Sequence, residues 1–432
     1  MAPMSLARLT GPRKPFAARD RAILLLSISL QLILGLLFGH AYDIRIFMAT
    51  GYLVASGRNP YVAQDLTAVF GNSAFQGMTS VGYPPPWPLV LGLIYRIIHP
   101  ISHNLLVYNL AIKVPVIAAN VGLAYLVCRI LKDLGADAGV SRRAWVFMLL
   151  NPFLLFFASA WGQFDSIVAL LALWSLLLLH KGRTRSSAVF LALAVSLKPT
   201  ALPIVLVALA WLMGRSWQEA IRYLAVLVAG ALLFCVAPFA IFGWDPSPIV
   251  THWNAHFSVA GAMSFMTFFE LLSNSYQLPG NWWLLGLAWI PALAFGLLAL
   301  RRNTGGFVDL LKNSTALVLV FYLTRAWLSE PNIILVLPLV LILTSAGELD
   351  RRALAAMWIL PLVFTFFNTS PPQLLFPSFP GAMEKVLGLG EGLRTVRLSL
   401  KIAVVILWQI AGWWIVISCL RRSPAPPASV RS

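Results

Sequence analysis

Charged residues are scarce in this 432-residue chain, where they make up 11% of the sequence. Soluble globular domains carry roughly 25% charged residues, so this scarcity excludes an ordinary soluble protein. Hydrophobic residues reach 59%, and the mean hydropathy is +0.81. The composition therefore predicts an all-α polytopic membrane protein.

Acidic residues are also few, with 15 Asp and Glu against 32 Lys and Arg, for a net charge of +17. Such a surplus is typical of nucleic-acid-binding proteins. Here, however, the basic residues lie in short clusters between apolar runs rather than along one stripe. This distribution favours the positive-inside rule of membrane proteins, and no nucleic-acid partner is predicted.

Cysteine is nearly absent, and Cys128, Cys235 and Cys419 all lie inside apolar runs without CxxC spacing. Neither a disulfide framework nor a zinc site is therefore expected. The chain has no Walker loop and no GxGxxG, the two common nucleotide-binding patterns. It also shows no repeat of fixed period and no soluble domain.

Long apolar runs dominate what is present. A helix needs about 20 apolar residues to cross a bilayer, with about 17 as the lower limit. About twelve runs are candidate spans: 22 to 39, 105 to 130, 144 to 160, 165 to 180, 186 to 198, 200 to 214, 219 to 242, 282 to 300, 307 to 324, 331 to 346, 353 to 369 and 398 to 420. The first run resembles a signal peptide but lacks a small-x-small cleavage site, so we expect an uncleaved helix.

The segment 84 to 102 has two interpretations, a span or a helix in the outer interface. As a span it would place Arg129, Lys132 and Arg142 outside, against the positive-inside rule. We therefore assign it to the interface. The segments that then face the cytoplasm hold 22 of the 32 Lys and Arg residues.

This layout predicts one transmembrane domain in the plasma (inner) membrane, with both termini in the cytoplasm. Residues 1 to 21 form a basic cytoplasmic segment, residues 22 to 420 the transmembrane domain, and residues 421 to 432 a disordered cytoplasmic tail. The outer side receives three long loops: 40 to 104, 243 to 281 and 370 to 397. Short basic inner links and long aromatic outer loops place the working surface outside.

Asp43 lies where the first apolar run ends, at a depth where a carboxylate is costly unless it is used. Ile44, Phe47 and Gly51 fall on one helical face, so Asp43 is expected to open an amphipathic helix along the membrane surface. An acidic residue at a helix start is also an ordinary cap. The sequence leaves both roles open.

A second polar motif, Trp161 to Ser166, lies between two spans on the same side. Glycine at position 162 permits a turn. Gln163 and Asp165 offer hydrogen-bond partners to a hydroxyl-rich ligand, which makes them candidate acceptor-binding residues. The alternative is a solvated turn between helices.

Cations interrupt or flank three further apolar runs. Lys198 breaks one run near the outer side, and Lys113 lies near the outer end of another. Each either extends its ammonium to the interface or meets a phosphate. Arg325 and Glu330 flank a very short outer link, where they form either a structural ion pair or part of a site.

The histidines of the second outer loop carry less information. His252 and His256 have the i, i+4 spacing of metal sites, with Asp245 near in sequence. No HExxH surrounds them, so no metal site is expected. We interpret residues 243 to 270 as an acceptor-contact loop with aromatic platforms such as Trp253.

The order of these motifs resembles that of the GT-C superfamily, integral-membrane glycosyltransferases that use polyprenyl-phosphate sugars. Asp43 follows the first span, a Tyr-Pro-Pro helix begins at Tyr83, and a Gly-x-Phe loop starts at Gly162 after an Asn-Pro helix. Lys198 then interrupts an apolar run, and a Ser-Glu link comes late. The likeness covers residues 20 to 346. Bacterial polyprenyl-phosphate-mannose transferases are similar through the Asp-x-x-x-aromatic and Gly-x-x-Pro-Tyr patterns.

The resemblance implies a GT-C bundle with about 12 transmembrane helices and amphipathic helices in the first outer loop. It implies that a hexose, with mannose favoured, or a pentose moves with inversion from a polyprenyl-phosphate donor to a lipid or glycan acceptor. Asp43 would be the general base. The donor-binding residues would be Arg45, Tyr83, Lys113, Lys198, Arg325 and Glu330, and the acceptor-binding residues Gln163, Asp165, His252 and His256. Neither a cofactor nor a metal is expected, since fixed cations can neutralise the phosphate.

Two other classes of membrane protein remain to be weighed. A transporter or flippase also needs charged residues and interrupted helices, but its polar residues are expected near the midplane in two related halves. No matching halves are visible here. A non-catalytic scaffold would tolerate the loss of Asp43.

Overall fold

Helices that pack side by side form most of the structure, a computed structural model. It describes residues 18–78, 82–256, 259–273, 278, 280–300, 305–369, 371–380 and 394–421. The side chains of 254–256, 271–273, 281 and 371 lie outside this description. Most of the predicted disordered tail and most of the predicted segment 1 to 21 lie outside the described residues.

The helices follow the apolar runs of the sequence. In chain order they are α1 (Ala18–Leu37), α2 (Ala41–Ala55), α3 (Thr67–Phe70), α4 (Pro86–Ile98), α5 (Leu105–Asp133), α6 (Ala138–Leu150), α7 (Pro152–Leu154), α8 (Asp165–His180), α9 (Thr184–Leu197), α10 (Leu202–Met213), α11 (Trp217–Ala231), α12 (Ala237–Phe242), α13 (Ser247–His256), α14 (Phe268–Ser273), α15 (Trp289–Leu300), α16 (Phe307–Thr324), α17 (Leu337–Ser345), α18 (Arg351–Asn368) and α19 (Arg394–Leu420). Two wider π-helical segments, Leu155–Trp161 and Leu232–Val236, continue α7 and α11. The strands β1 (Gly261–Ala262) and β2 (Trp327–Leu328) pair in parallel.

Seven helical stretches of the described chain are long and apolar enough to cross a membrane. They are Ala18–Leu37, Leu105–Asp133, Ala138–Trp161, Trp217–Phe242, Trp282–Leu300, Phe307–Thr324 and Arg394–Leu420. Four of the remaining predicted runs correspond to shorter apolar helices: Asp165–His180, Thr184–Leu197, Pro199–Met213 and Glu330–Ser345. The fifth, 353 to 369, corresponds to the 18-residue helix Arg351–Asn368. The predicted all-α polytopic fold is confirmed.

Burial divides the bundle into a centre and a lipid-facing edge. Helix α16 is central, since its residues from Leu310 to Leu323 are all buried. Helix α11 and its continuation to Phe242 instead expose leucine and valine side chains. In lipid such exposure carries no penalty, because the surroundings are as apolar as the side chains.

Short links make successive spans antiparallel. Helix α8 ends at His180, α9 begins at Thr184, and the two helices pack against each other. This alternation brings the end of α1, the start of α5, the start of α8 and the end of α9 to one end of the bundle, which we call the site end.

The segment 84 to 102 forms α4, whose 13 residues are too few to cross a bilayer. It packs against α2 and exposes Leu93 and Ile97. Two glycines permit the close approach, since a Cβ on Gly92 would lie 2.3 Å from Val54 Cγ1, and one on Gly51 would lie 2.8 Å from the Leu91 carbonyl oxygen. Helix α2 is buried around most of its circumference rather than on one face, because α4 and α5 cover it.

Candidate active site

Asp43 lies in the first turn of α2 at the site end, and its carboxylate is held by three side chains. Oxygen Oδ2 accepts hydrogen bonds from Trp161 Nε1 at 2.6 Å and from Gln163 Nε2 at 2.9 Å. His40 Nδ1 approaches the same oxygen at 3.1 Å. All three contacts within the described residues use Oδ2, so Oδ1 is the oxygen left to accept a proton.

His40 has a defined position beside this carboxylate. Its ring stacks on Trp161, with centroids 4.1 Å apart and an interplanar angle of 7°. Its Nε2 lies 3.3 Å from Gln373 Oε1, and since an amide oxygen only accepts, Nε2 donates in this arrangement. Nδ1 then donates to Asp43 when the ring is protonated. When the ring is neutral, Nδ1 accepts from the Asp43 backbone N–H at 3.5 Å.

The surroundings of Asp43 favour its ionised form. Burial raises the pKa of the carboxyl, but the hydrogen bond and charge of His40 lower it, as do the hydrogen bonds from Trp161 and Gln163. The lowering contributions prevail, and the pKa of Asp43 lies below its usual value of 3.8. The side chain is therefore a carboxylate at neutral pH.

A strained turn aims Trp161 and Gln163 at Asp43. The π-helical segment ends at Trp161, and Gly162 adopts a left-handed φ of 101°. A Cβ at Gly162 would lie 2.6 Å from Ile44 Cδ1 and 2.8 Å from Lys113 Cε. Glycine is therefore required both for the backbone conformation and for the close packing.

Asp165 and Lys198 form a buried ion pair beside this turn. Lys198 Nζ lies 2.8 Å from each carboxylate oxygen of Asp165. The side chain of Lys198 is 11% exposed and that of Asp165 is 2% exposed. Lys198 also lies 5.9 Å from the centre of the Tyr83 ring and 5.5 Å from that of Phe164.

Tyr83 is a neighbour of both carboxylates of the site. Its hydroxyl interacts with Gln163 and lies within electrostatic range of both Asp43 and Asp165. Burial, with the two negative charges, raises the pKa of Tyr83 well above its usual value, so the phenol stays protonated and can donate. The ring packs against Phe164, with centroids 5.0 Å apart.

Arg325 and Glu330 approach the site from two sides, and no ion pair joins them among the described residues. The Arg325 guanidinium lies 4.8 Å from the Phe321 ring centre. The Tyr322 hydroxyl lies within electrostatic range of both Arg325 and Asp165. Glu330 is buried, accepts a 2.8 Å hydrogen bond from Asn368 Nδ2 and lies within electrostatic range of His40.

Part of the first half of this chain matches a family model. The model of "Alpha-(1->6)-mannopyranosyltransferase, N-terminal domain" matches residues 40–215, the segment that holds Asp43, Tyr83, Asp165 and Lys198. Comparison with curated proteins gives no match.

Solved structures share the architecture of the whole chain. ArnT from Cupriavidus metallidurans bound to undecaprenyl phosphate is 15% identical with a TM-score of 0.53, over 94% of this chain and 77% of that one. The same protein in the apo state is 15% identical with a TM-score of 0.51, over 93% and 76%. The chain has the GT-C fold. The fold that the sequence resemblance implied is thereby confirmed.

Two of the predicted donor-binding cations donate to backbone carbonyls in this fold. Lys113 is fully buried, and its ammonium donates to the carbonyls of Gly35, Phe38 and Ala160. Arg45 donates to the carbonyls of Ala41 and Ala74, both at 2.6 Å. The three ammonium donors of Lys113 are thereby used, so the geometry does not favour a direct phosphate contact for this residue. Arg45 uses two of its five N–H donors in these contacts, and its donor-binding role stays a prediction.

The predicted acceptor histidines lie on α13. His252 packs on the backbone just before Tyr83, since a Cβ at Gly82 would lie 2.3 Å from its Nε2. Burial lowers the pKa of His252. The side chain of His256 lies outside the described residues. Within those residues no group of three or more His, Cys, Asp or Glu could hold a metal ion, and independence from metals stays a prediction.

Three residues near the site were not predicted from the sequence. His40 carried a signal, because a polar residue three positions before Asp43 suits an N-cap. Lys401 gave a weaker sequence signal, as a lone cation in the last apolar run. In the structure it forms a buried ion pair with Glu270 at 2.7 Å and lies within electrostatic range of Glu330. Asn368, at the end of α18, gave no signal.

Proposed function

We propose that the chain is a membrane glycosyltransferase that moves a sugar, with mannose favoured, from a polyprenyl phosphate to a hydroxyl of a lipid or glycan acceptor. The single observation that carries the proposal is the setting of Asp43, a carboxylate whose Oδ2 accepts from Trp161 and Gln163 and lies 3.1 Å from His40 Nδ1, while Oδ1 stays available. The GT-C fold and the mannopyranosyltransferase match support the same conclusion.

Asp43 acts as the general base of a single displacement. Its Oδ1 accepts the proton of the acceptor hydroxyl as that oxygen forms a bond with the anomeric carbon. The bond between the anomeric carbon and the phosphate oxygen breaks, and its electron pair leaves with the polyprenyl phosphate. One displacement inverts the anomeric configuration.

The leaving phosphate needs positive charge near the anomeric carbon. Lys198 supports this role, because it lies at the site end and Asp165 fixes its direction through two 2.8 Å contacts. Arg325 adds a second cation within electrostatic range of the same region. Tyr83, protonated and a neighbour of both carboxylates, can donate to a phosphate or sugar oxygen.

The site end is proposed to face the extracytoplasmic side of the inner membrane. The clustering of Lys and Arg in links at the opposite end supports this orientation. A lipid-linked donor suits it, because no soluble nucleotide sugar is then required on that side.

The proposal is tested with purified protein and a panel of polyprenyl-phosphate sugars, comprising mannose, glucose and a pentose, with transfer measured to a lipid acceptor and to a glycan acceptor. We expect mannose transfer with inversion by the wild type, and none by D43N. If no donor is consumed while the protein moves intact polyprenyl phosphates between leaflets of a vesicle, it is a flippase.

A further inference from the structure

The proposed reaction assigns no role to Lys113. Its ammonium lies beneath the site and contacts no acidic side chain among the described residues. It lies in the first third of α5 together with Asn109, four residues earlier on the same face. Both side chains are fully buried. A lysine at such depth is costly unless its donors are satisfied.

The partners of Lys113 and Asn109 are backbone carbonyls from two separate elements. Asn109 Nδ2 donates to the carbonyls of Gly35 at 2.8 Å, Leu36 at 3.2 Å and Phe38 at 2.9 Å. Lys113 Nζ donates to Gly35 at 3.3 Å, to Phe38, and to Ala160 at 2.9 Å. An ammonium has three N–H donors, so three carbonyl acceptors match its protonated form.

The carbonyls of Gly35 and Leu36 belong to the last turn of α1, and Phe38 directly follows that helix. Helix α1 ends at Leu37, and the last carbonyls of a helix have no intrahelical partner. The helix dipole also makes this end negative, which favours a cation. Charge and hydrogen bonding together account for the burial of Lys113.

The same contacts join the two halves of the proposed catalytic arrangement. Phe38 lies two residues before His40, and Ala160 directly precedes Trp161. The stem of Lys113 also backs the turn, because a Cβ at Gly162 would lie 2.8 Å from its Cε. The backbone N–H of His40 donates to the Trp161 carbonyl at 3.1 Å, which completes the connection.

We infer that Lys113, assisted by Asn109, is a positioning residue that holds the Asp43 segment and the Trp161-to-Gln163 turn in register, and that it does not bind the donor phosphate. This inference rests on the proposed function for its kinetic consequences. Its structural consequence is independent of any reaction.

The test compares K113M, which keeps the length of the side chain and removes its donors, with wild type and K312M. Lys312 is a matched control, since it too is buried in a span but pairs with Glu348 at 2.5 Å at the opposite end of the bundle. Hydrogen exchange of the backbone amides in detergent is measured first. We expect K113M to increase exchange in residues 38 to 46 and 160 to 166, and K312M to leave both segments as in wild type.

Kinetics give the second measurement. K113M is expected to lower kcat about 10²-fold, the cost of a misplacement of about 1 Å, while the KM for the donor stays near wild type. A raised donor KM with unchanged kcat would mean that Lys113 contacts the phosphate and would overturn the inference. Unchanged exchange in both segments would also overturn it.

The two proposals fail in distinguishable ways. If the wild type transfers no sugar from any polyprenyl phosphate, the proposed function fails, but the exchange comparison still decides the role of Lys113. If K113M does not fold, N109L takes its place, since Asn109 donates to the same end of α1. We expect N109L to produce the exchange increase of residues 38 to 46, and its absence would overturn the inference.

Discussion

Trp161 donates its indole N–H to Oδ2 of Asp43 at 2.6 Å, although the two residues are 118 positions apart in the chain. The same indole stacks on His40, whose Nδ1 reaches that oxygen at 3.1 Å. One aromatic side chain therefore orients both the carboxylate and the imidazole beside it. Of the two carboxylate oxygens, this leaves Oδ1 for substrate.

Replacement of Asp43 by Asn is expected to remove transfer while the protein stays folded. The loss of a general base typically lowers the rate 10²- to 10⁴-fold, and Asn keeps an oxygen that can accept from Trp161. Turnover of a polyprenyl-phosphate sugar by the purified variant measures the effect. D65N is the matched control, since Asp65 belongs to the same predicted outer loop, 40 to 104, and is fully exposed. Wild-type turnover by D43N would remove the base assignment.

The lowered pKa of Asp43 predicts a pH-dependent contribution to stability. A carboxyl whose pKa is lower in the folded than in the unfolded state stabilises the fold above the unfolded value of about 3.8. This contribution is lost as pH falls through the lowered folded pKa. The difference in thermal stability between wild type and D43N should therefore be constant near neutral pH and shrink below about pH 4. A difference that grows on acidification would contradict the assignment.

Replacement of Lys198 by Met is expected to destabilise the protein strongly. It would leave Asp165 as an unpaired buried carboxylate, a change that typically costs about 3–5 kcal/mol. Thermal unfolding in detergent measures the loss. The double variant D165L/K198M should recover most of it, since an apolar pair can replace a buried ion pair. If Lys198 binds the donor phosphate, the recovered protein will still show a raised donor KM.

A surface ion pair provides the comparison for Lys198. Lys181 pairs with Asp133 at 2.9 Å, and the two side chains are 35% and 40% exposed. Such pairs contribute about 0–1 kcal/mol. K181M should therefore unfold near the wild-type temperature. Equal losses in K181M and K198M would show that burial of the Lys198 pair has no special energetic weight.

Replacement of Gly162 by Ala is expected to impair both stability and turnover. An L-residue in the left-handed region costs about 1–2 kcal/mol, and here the new methyl also overlaps Ile44 and Lys113. The matched control is G135A, because Gly135 has a φ of 83° with nothing within 4 Å of a Cβ. Circular-dichroism melting and turnover should show a larger loss for G162A. Similar behaviour of the two variants would mean that backbone strain alone matters.

Hydropathy predicted the helices well because each helix satisfies its backbone hydrogen bonds within its own segment. The segment 84 to 102 forms the 13-residue helix α4, and its assignment to the interface stays a prediction. The burial of α2 was not predictable in the same way. Its apolar positions fitted a surface helix, and only the packing of α4 across Gly51 and Gly92 covers its remaining face.

Lys113 and Lys198 show the limit of prediction at the site. In the sequence they look alike, since each is a lone cation beside an apolar run. In the structure Lys198 meets a carboxylate 33 positions away, whereas Lys113 meets carbonyls 78 and 47 positions away. Nothing local distinguishes these partners, because they lie on other helices.

The sequence by itself determined that the chain is a helical membrane protein with a carboxylate at the end of its first span. These properties depend on transfer of side chains into lipid and on hydrogen bonds within a segment, both of which are local. Only the tertiary structure decided that His40, Trp161 and Gln163 share one oxygen of Asp43, and that Lys113 lies behind them. Side-chain partners are fixed by contacts between helices distant in sequence, and the direction of a side chain cannot be obtained from its position in the chain.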